Sequence, residues 1–117
     1  MGDLTENFSR HEFACRCQCG FDDVDLKLIM ALQELRDLIG QPIHVSSGCR
    51  CEKHNRAVGG AKNSQHLLGR AADISTRWLT PPELMMYALK IEAFKDGGIG
   101  LYKGFLHVDI RGYKARW

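Results

Sequence analysis

Ser64-Gln65-His66-Leu67-Leu68-Gly69-Arg70-Ala71-Ala72-Asp73-Ile74-Ser75 decides how this chain is read. It holds an imidazole and a carboxylate seven positions apart, separated by a glycine and two alanines. Seven positions would also suit two helical turns. Gly69 and the Asp73-Ile74-Ser75 tail instead predict a loop that enters a strand and can fold the two side chains toward each other, and the small residues leave room between them. Phe105-Leu106-His107-Val108-Asp109-Ile110 supplies the counterpart. Strand alternation there puts His107 and Asp109 on one face and Leu106 and Val108 on the other.

Upstream, Leu28, Ile29, Leu32, Leu35 and Ile39 recur at steps of three and four, the period of one buried helix face. Asp22, Asp23 and Asp25 crowd the start of that helix, where its dipole favours carboxylates, and Gly40 and Pro42 close it. Ile43-His44-Val45-Ser46 alternates as a short strand. A loop or short helix follows through Cys51 to Val58 and ends at Gly59-Gly60. Thr80-Pro81-Pro82-Glu83 is a helix start with a capping box, and Leu84, Tyr87, Ala88 and Ile91 form its apolar face. Gly97-Gly98 ends it, and two strands, Ile99–Leu101 and Phe105–Ile110, join through Lys103-Gly104. Helices and short strands without βαβ alternation predict an α+β domain over residues 1–117, a small antiparallel sheet covered by helices.

Composition narrows the function. The 117 residues are 44% hydrophobic and 26% charged, with 16 Lys and Arg against 14 Asp and Glu, which describes one ordinary globular domain. A net charge of +2 and the lack of a basic stripe or aromatic platform argue against nucleic acid as partner. No apolar run reaches the ~20 residues that span a bilayer, so membrane insertion is not expected. The opening residues carry no basic stretch followed by an apolar run, so synthesis and retention in the cytoplasm are expected.

Five histidines and five cysteines in so short a chain bring metal or redox chemistry forward. Two imidazoles and a carboxylate are a common ligand set for catalytic zinc, which keeps a position for water and so suits amide hydrolysis. The cysteines form two groups, Cys15-x-Cys17-x-Cys19 and Cys49-x-Cys51. An odd count in a reducing compartment argues against a full disulfide framework and leaves a second, structural zinc, reduced thiols or a single disulfide as the alternatives. A thiol-metal or redox protein, or a zinc-ribbon binder, is the reading in which the cysteines are the point.

Ser46-Ser47-Gly48-Cys49-Arg50, Ser64-Gln65-His66 with Gly69, Ala71 and Asp73, Gly98-Ile99-Gly100-Leu101-Tyr102 and His107-Val108-Asp109 resemble the M15 zinc peptidases, the D-Ala-D-Ala carboxypeptidase and peptidoglycan endopeptidase group. Asn7–Cys15 and Arg111-Gly112 with Ala115-Arg116-Trp117 are similar to its small phage and prophage branch, so the resemblance spans nearly the whole chain. It implies the fold shared with the Hedgehog signalling domain. It also implies one catalytic Zn2+ held by His66, Asp73 and His107, and peptidoglycan stem peptides as substrate. Arg50 would bind a substrate carboxylate or carbonyl and stabilise developing negative charge, and Ser64 and Gln65 would hydrogen-bond substrate or ligands or serve as turn residues. A monomer is expected, one that reaches the wall after release from the cytoplasm. An inactive zinc-containing binding domain of the same fold is the alternative.

One position departs from the family pattern. Several M15 branches carry Glu or Asp three residues before the last zinc-binding His as general base, and here that position is Gly104. Asp109, on the same strand face as His107, is the substitute catalytic base that alternation offers. A carboxylate that holds the imidazole or pairs with Arg111 is the other role open to it.

Overall fold

The computed structural model describes residues 2–117. Helix α1 (Leu26–Ile39) begins where the Asp25 carboxylate accepts the Lys27 N–H at 2.9 Å and ends where Gly40 turns left-handed at φ 69°. Its buried face is Leu28, Ile29, Ala31, Leu32 and Leu35. Strand β1 (His44–Ser47) follows, then a short helix α2 (Glu52–Ala57), a 3₁₀ turn at Gln65–Leu68 and strand β2 (Ala71–Ser75). Helix α3 (Pro81–Ala88) carries the expected capping box: the Thr80 hydroxyl accepts the Glu83 N–H and the Glu83 carboxylate accepts the Thr80 N–H at 2.9 Å.

The expected continuation of α3 to Ile91 is interrupted. The chain leaves the helix after Ala88, turns extended at Ile91 (φ −93°, ψ 115°) and restarts as α4 (Glu92–Lys95). On an unbroken helix Phe94 would lie well to the side of the stripe formed by Leu84, Ala88 and Ile91. The break lets both Ile91 and Phe94 enter the core.

Strands β3 (Gly98–Leu101) and β4 (Leu106–Asp109) form the expected hairpin, and the five-stranded sheet runs β1-β2-β4-β3-β5. The first four strands pair antiparallel, as anticipated. Strand β5 (Ala115–Arg116) pairs parallel to β3, so the sheet is mixed. Two residues offer no alternation to detect. They are held by Arg116, whose guanidinium donates to Gly97 O and Lys95 O at 2.7 Å each.

Register divides the sheet into two chemically different faces. Ala72, Ile74, Ile99, Leu106 and Val108 pack with Leu28, Leu32, Leu84 and Phe94 as the hydrophobic core, each large side chain contributing roughly 1.5–3 kcal/mol by burial. The opposite face carries Asp73 paired across strands with His107, which in turn lies opposite Gly100, while Ala71 lies opposite Asp109. A one-residue slip between β2 and β4 would exchange these faces, so core burial fixes the polar row. Among the described residues no helix is long and apolar enough to cross a membrane.

Candidate metal centre

The polar face of the sheet gathers His66, Asp73 and His107, all buried, with a ligand atom of each within 4.8 Å of the others. His66 comes from the 3₁₀ turn. Ser64 caps that turn, its hydroxyl accepting the His66 N–H at 3.2 Å, and Gly69 closes it at φ 67° with the Asp23 carbonyl where a Cβ would stand. The chain then enters β2 and delivers Asp73. One oxygen, Asp73 Oδ1, faces His66 Nε2 and His107 Nδ1 at 3.1 Å each.

Proton accounting on the two rings shows what this arrangement fits. Gly48 O, 2.6 Å from His66 Nδ1, can only accept, so Nδ1 carries the proton. Asp109 Oδ2, 2.8 Å from His107 Nε2, likewise takes that ring's proton. When both rings are neutral, His66 Nε2 and His107 Nδ1 turn lone pairs toward a carboxylate oxygen that also only accepts. Lone pairs converging from three sides are satisfied by a cation, and each ring's other nitrogen is bound in the way that orients metal-ligating histidine. His66 Nε2, Asp73 Oδ1 and His107 Nδ1 thus fit a divalent metal ion.

Without a cation, a proton on His107 is what balances the Asp73 charge, so a metal ion would take that proton's place. Burial opposes charge on Asp73, yet hydrogen bonds with His107 and His66 hold its pKa far below the ordinary carboxylate range. Burial likewise opposes charge on His107, and its contacts with Asp109 and Asp73 outweigh this and raise its pKa.

Asp109 is fully buried, and both of its oxygens are engaged. Oδ2 accepts from His107 Nε2 and from Arg111 Nη2 at 2.7 Å. Oδ1 accepts from Arg111 Nε at 2.9 Å, Gly98 N at 2.9 Å and Arg111 N at 3.1 Å. Burial raises its pKa, but the His107 and Arg111 hydrogen bonds dominate and keep it ionised well below the usual range. A Cβ at position 98 would collide with this carboxylate, which explains the glycine there.

Arg50 donates from Nη2 to Asp73 Oδ2 at 2.9 Å, from Nε to Ser47 Oγ at 3.1 Å and from Nη1 to Asn55 Oδ1 at 3.3 Å. A bulge in β1 between Val45 and Ser47 brings Ser47 into register with Asp73 and so beneath this guanidinium. Two of the five N–H groups of Arg50 remain for another acceptor.

A cleft of about 630 Å³ opens over the three candidate ligands, with Arg50, Ser64 and Gln65 in its lining. Gln65 Oε1 is buried with no hydrogen-bond partner among the described residues. One wall is aromatic. Trp117 lies 4.9 Å from His107 between ring centres and donates from Nε1 to Tyr102 Oη at 2.9 Å, and Tyr102 stacks on Phe105 at 4.5 Å. Gly104 sits in the exposed β3–β4 turn with open space around it. Neither Asp109 nor any acidic residue other than Asp73 lines the cleft among the described residues.

Two contributors have no role in the sequence reading. Asn55 is buried on α2 and bridges Arg50 to Ala61 O (2.8 Å), and Gly60 leaves space for it. Nothing in a six-residue polar helix signals a buried amide. Trp117 reaches the site only because β5 lays it over Gly100, where a Cβ would strike the indole; a terminal tryptophan was the available hint.

The cysteines separate. Cys15, Cys17, Cys19 and Cys51 lie together, whereas Cys49 belongs to the hydrophobic core, where burial pushes its thiol up to about 11. Among curated proteins, none gives a significant match to the chain. A family model described as Peptidase M15 matches residues 6–109, nearly the whole fold including all three candidate ligands, and the chain belongs to the peptidase M15 family.

Proposed function

We propose that this M15 peptidase is zinc-dependent and hydrolyses peptide bonds in peptidoglycan stem peptides, in phage-type lysis or wall remodelling. The observation that carries the reading is the convergence of His66 Nε2, Asp73 Oδ1 and His107 Nδ1 with both remaining ring nitrogens bound to acceptors. Two imidazoles and one carboxylate are the ligand set of many hydrolytic zinc sites. Zinc bound there would supply a Lewis acid that polarises a carbonyl and lowers the pKa of a water to ~7.

The chain's own residues then act on the substrate. Arg50 holds Asp73 in place and directs its two remaining N–H groups toward a substrate carboxylate or the oxyanion growing on the scissile carbonyl. Gln65 Oε1, buried and unpaired, accepts a substrate N–H. Trp117, Tyr102 and Phe105 cover one side of the cleft and limit water there. Asp109, with both oxygens engaged, keeps His107 in the tautomer that leaves Nδ1 free; its contacts favour this role over that of general base. The positive cleft residues Arg50, Lys62 and Arg111 suit an acidic peptide.

The test is release of new amines from purified peptidoglycan, abolished by a chelator and restored by zinc, with mass analysis of fragments from defined stems to name the bond. Full activity in His66→Ala refutes the site. The second reading, a wall-binding domain without catalysis, is favoured by the shortage of a free carboxylate in the cleft and by Gly104. Peptidoglycan binding with zinc bound and no amine release would establish it.

A further inference from the structure

The four cysteines that lie apart from the cleft belong to no step above. Cys15, Cys17 and Cys51 place their sulfurs 3.4 Å (15–17), 3.5 Å (17–51) and 3.9 Å (15–51) apart, and Cys19 completes a set in which all sulfurs lie within 4.8 Å of one another. A tetrahedron with Zn–S bonds of ~2.3 Å has sulfurs about 3.8 Å apart. None of the four is in a disulfide. We propose that Cys15, Cys17, Cys19 and Cys51 form a second, structural site for a thiophilic divalent cation, zinc in the first instance, and that this site braces the metal centre in the cleft.

Local backbone structure brings the sulfurs together. Cys15-x-Cys17-x-Cys19 is folded on itself: Gln18 N donates to Cys15 O at 3.0 Å, and Cys15 N donates to Phe21 O at 2.8 Å, closing a compact loop. Gln18 is left-handed at φ 64°, the one non-glycine residue with positive φ among those described. Such a conformation costs about 1 kcal/mol or more and persists where surrounding contacts impose it. Here it curls Cys19 back to the other three. Backbone N–H groups also point at the sulfurs, from Cys51 to Cys15 Sγ and from His54 to Cys51 Sγ, each at 3.4 Å. Donors of this kind stabilise thiolates. Binding would release four thiol protons to solvent as four S–metal bonds form.

The cluster joins positions 36 apart in sequence, and its far anchor adjoins Arg50. The segment Gly48–Cys51 contributes in turn Gly48 O, which orients His66; Cys49 N, which donates to Phe13 O at 2.8 Å; and Arg50 N, which donates to His66 O at 3.0 Å. Fixing Cys51 to the 15–19 loop therefore holds the strip of backbone that aims both His66 and Arg50.

The experiment is a cobalt(II) titration of the reduced full-length chain, which tests this site whether or not the protein proves to be a peptidase. An intense thiolate-to-cobalt charge-transfer band is expected, saturating at one equivalent, displaced by zinc and lost in the Cys17→Ser/Cys19→Ser variant. Both substituted residues are exposed, so the fold should survive. On the unaltered protein, zinc should protect Cys15, Cys17, Cys19 and Cys51 from alkylation, mapped by mass spectrometry. Absence of the band, its persistence in the double variant, or equal alkylation with and without zinc overturns the site. Zinc affinity at the His66 centre should fall about 10-fold in the double variant; an unchanged affinity overturns the bracing role.

Discussion

Replacing Asp109 with asparagine separates the two roles open to that residue. The backbone N–H groups of Gly98 and Arg111 both donate to Oδ1, so the amide of Asp109→Asn keeps its oxygen there and places its NH2 at the position of Oδ2. That NH2 then faces the protonated Nε2 of His107, 2.8 Å away, and Nη2 of Arg111, 2.7 Å away, donor against donor. His107 relieves the clash by moving its proton to Nδ1, the atom needed for metal. The loss should therefore lie at the upper end of the 10- to 100-fold range seen when a partner of a metal-bound histidine is removed, about 2.7 kcal/mol in zinc binding. Chelator competition measures it, counting the binding step that His66→Ala abolishes, and amine release at saturating zinc measures kcat. The expected outcome is a Kd raised about 100-fold with kcat within a few-fold of the parent. An unchanged Kd with kcat reduced ~10²–10⁴-fold would make Asp109 the general base and refute the positioning argument.

Metal should also stabilise the fold, because it would bind His66 Nε2, Asp73 Oδ1 and His107 Nδ1 only where the fold brings them together: free zinc at 100 times Kd should add about 2.7 kcal/mol, seen as a rise in Tm, and an unmoved Tm would count against the centre. Gly100→Ala should displace Trp117 from His107, costing ~1–3 kcal/mol and shifting the tryptophan emission, whereas Gly104→Ala, with open space around it, should stay within ~0.5 kcal/mol in urea unfolding. Phe94→Ala should cost about 3–5 kcal/mol by the same assay if the break before α4 exists to bury that ring.

Local signals in the sequence were strong wherever the structure is locally determined. The carboxylates ahead of α1, the three-and-four spacing of Leu28 to Leu35 and the Thr80–Glu83 box each concern neighbours within one helix, and each is present. His66, Asp73 and His107 were legible as a trio because two imidazoles and a carboxylate are a ligand set, with Asp73 and His107 standing out on otherwise apolar strands. Their pairing was not, because the match of Asp73 to His107 arises from Ala72 and Ile74 meeting Val108 and Leu106 on the opposite face. The ends of α3 and the existence of β5 are likewise decided by partners far away in the chain, Phe94 in the core and Gly97 O beneath Arg116. Gln18 shows the limit most plainly. A glutamine gives no hint of left-handed backbone, so neither the thiol loop nor its long-range contact with Cys51 can be read from the cysteine spacing.

The charges around the centre bear on what it can bind. Asp73 is paired with Arg50 and Asp109 with Arg111, and the two imidazoles lie between, each using one N–H on an acceptor. Two carboxylates and two guanidiniums cancel, so with neutral rings the protein part of the site carries no net charge. A divalent cation held by His66, Asp73 and His107 would then leave two positive charges that no lining residue offsets, with Lys62 adding a third at the rim. Negative charge must come from outside the protein: from a substrate carboxylate, or from the oxyanion that grows on the scissile carbonyl. A cleft charged in this way stabilises the transition state of amide hydrolysis more than its neutral ground state, and it gains most when the peptide is itself acidic.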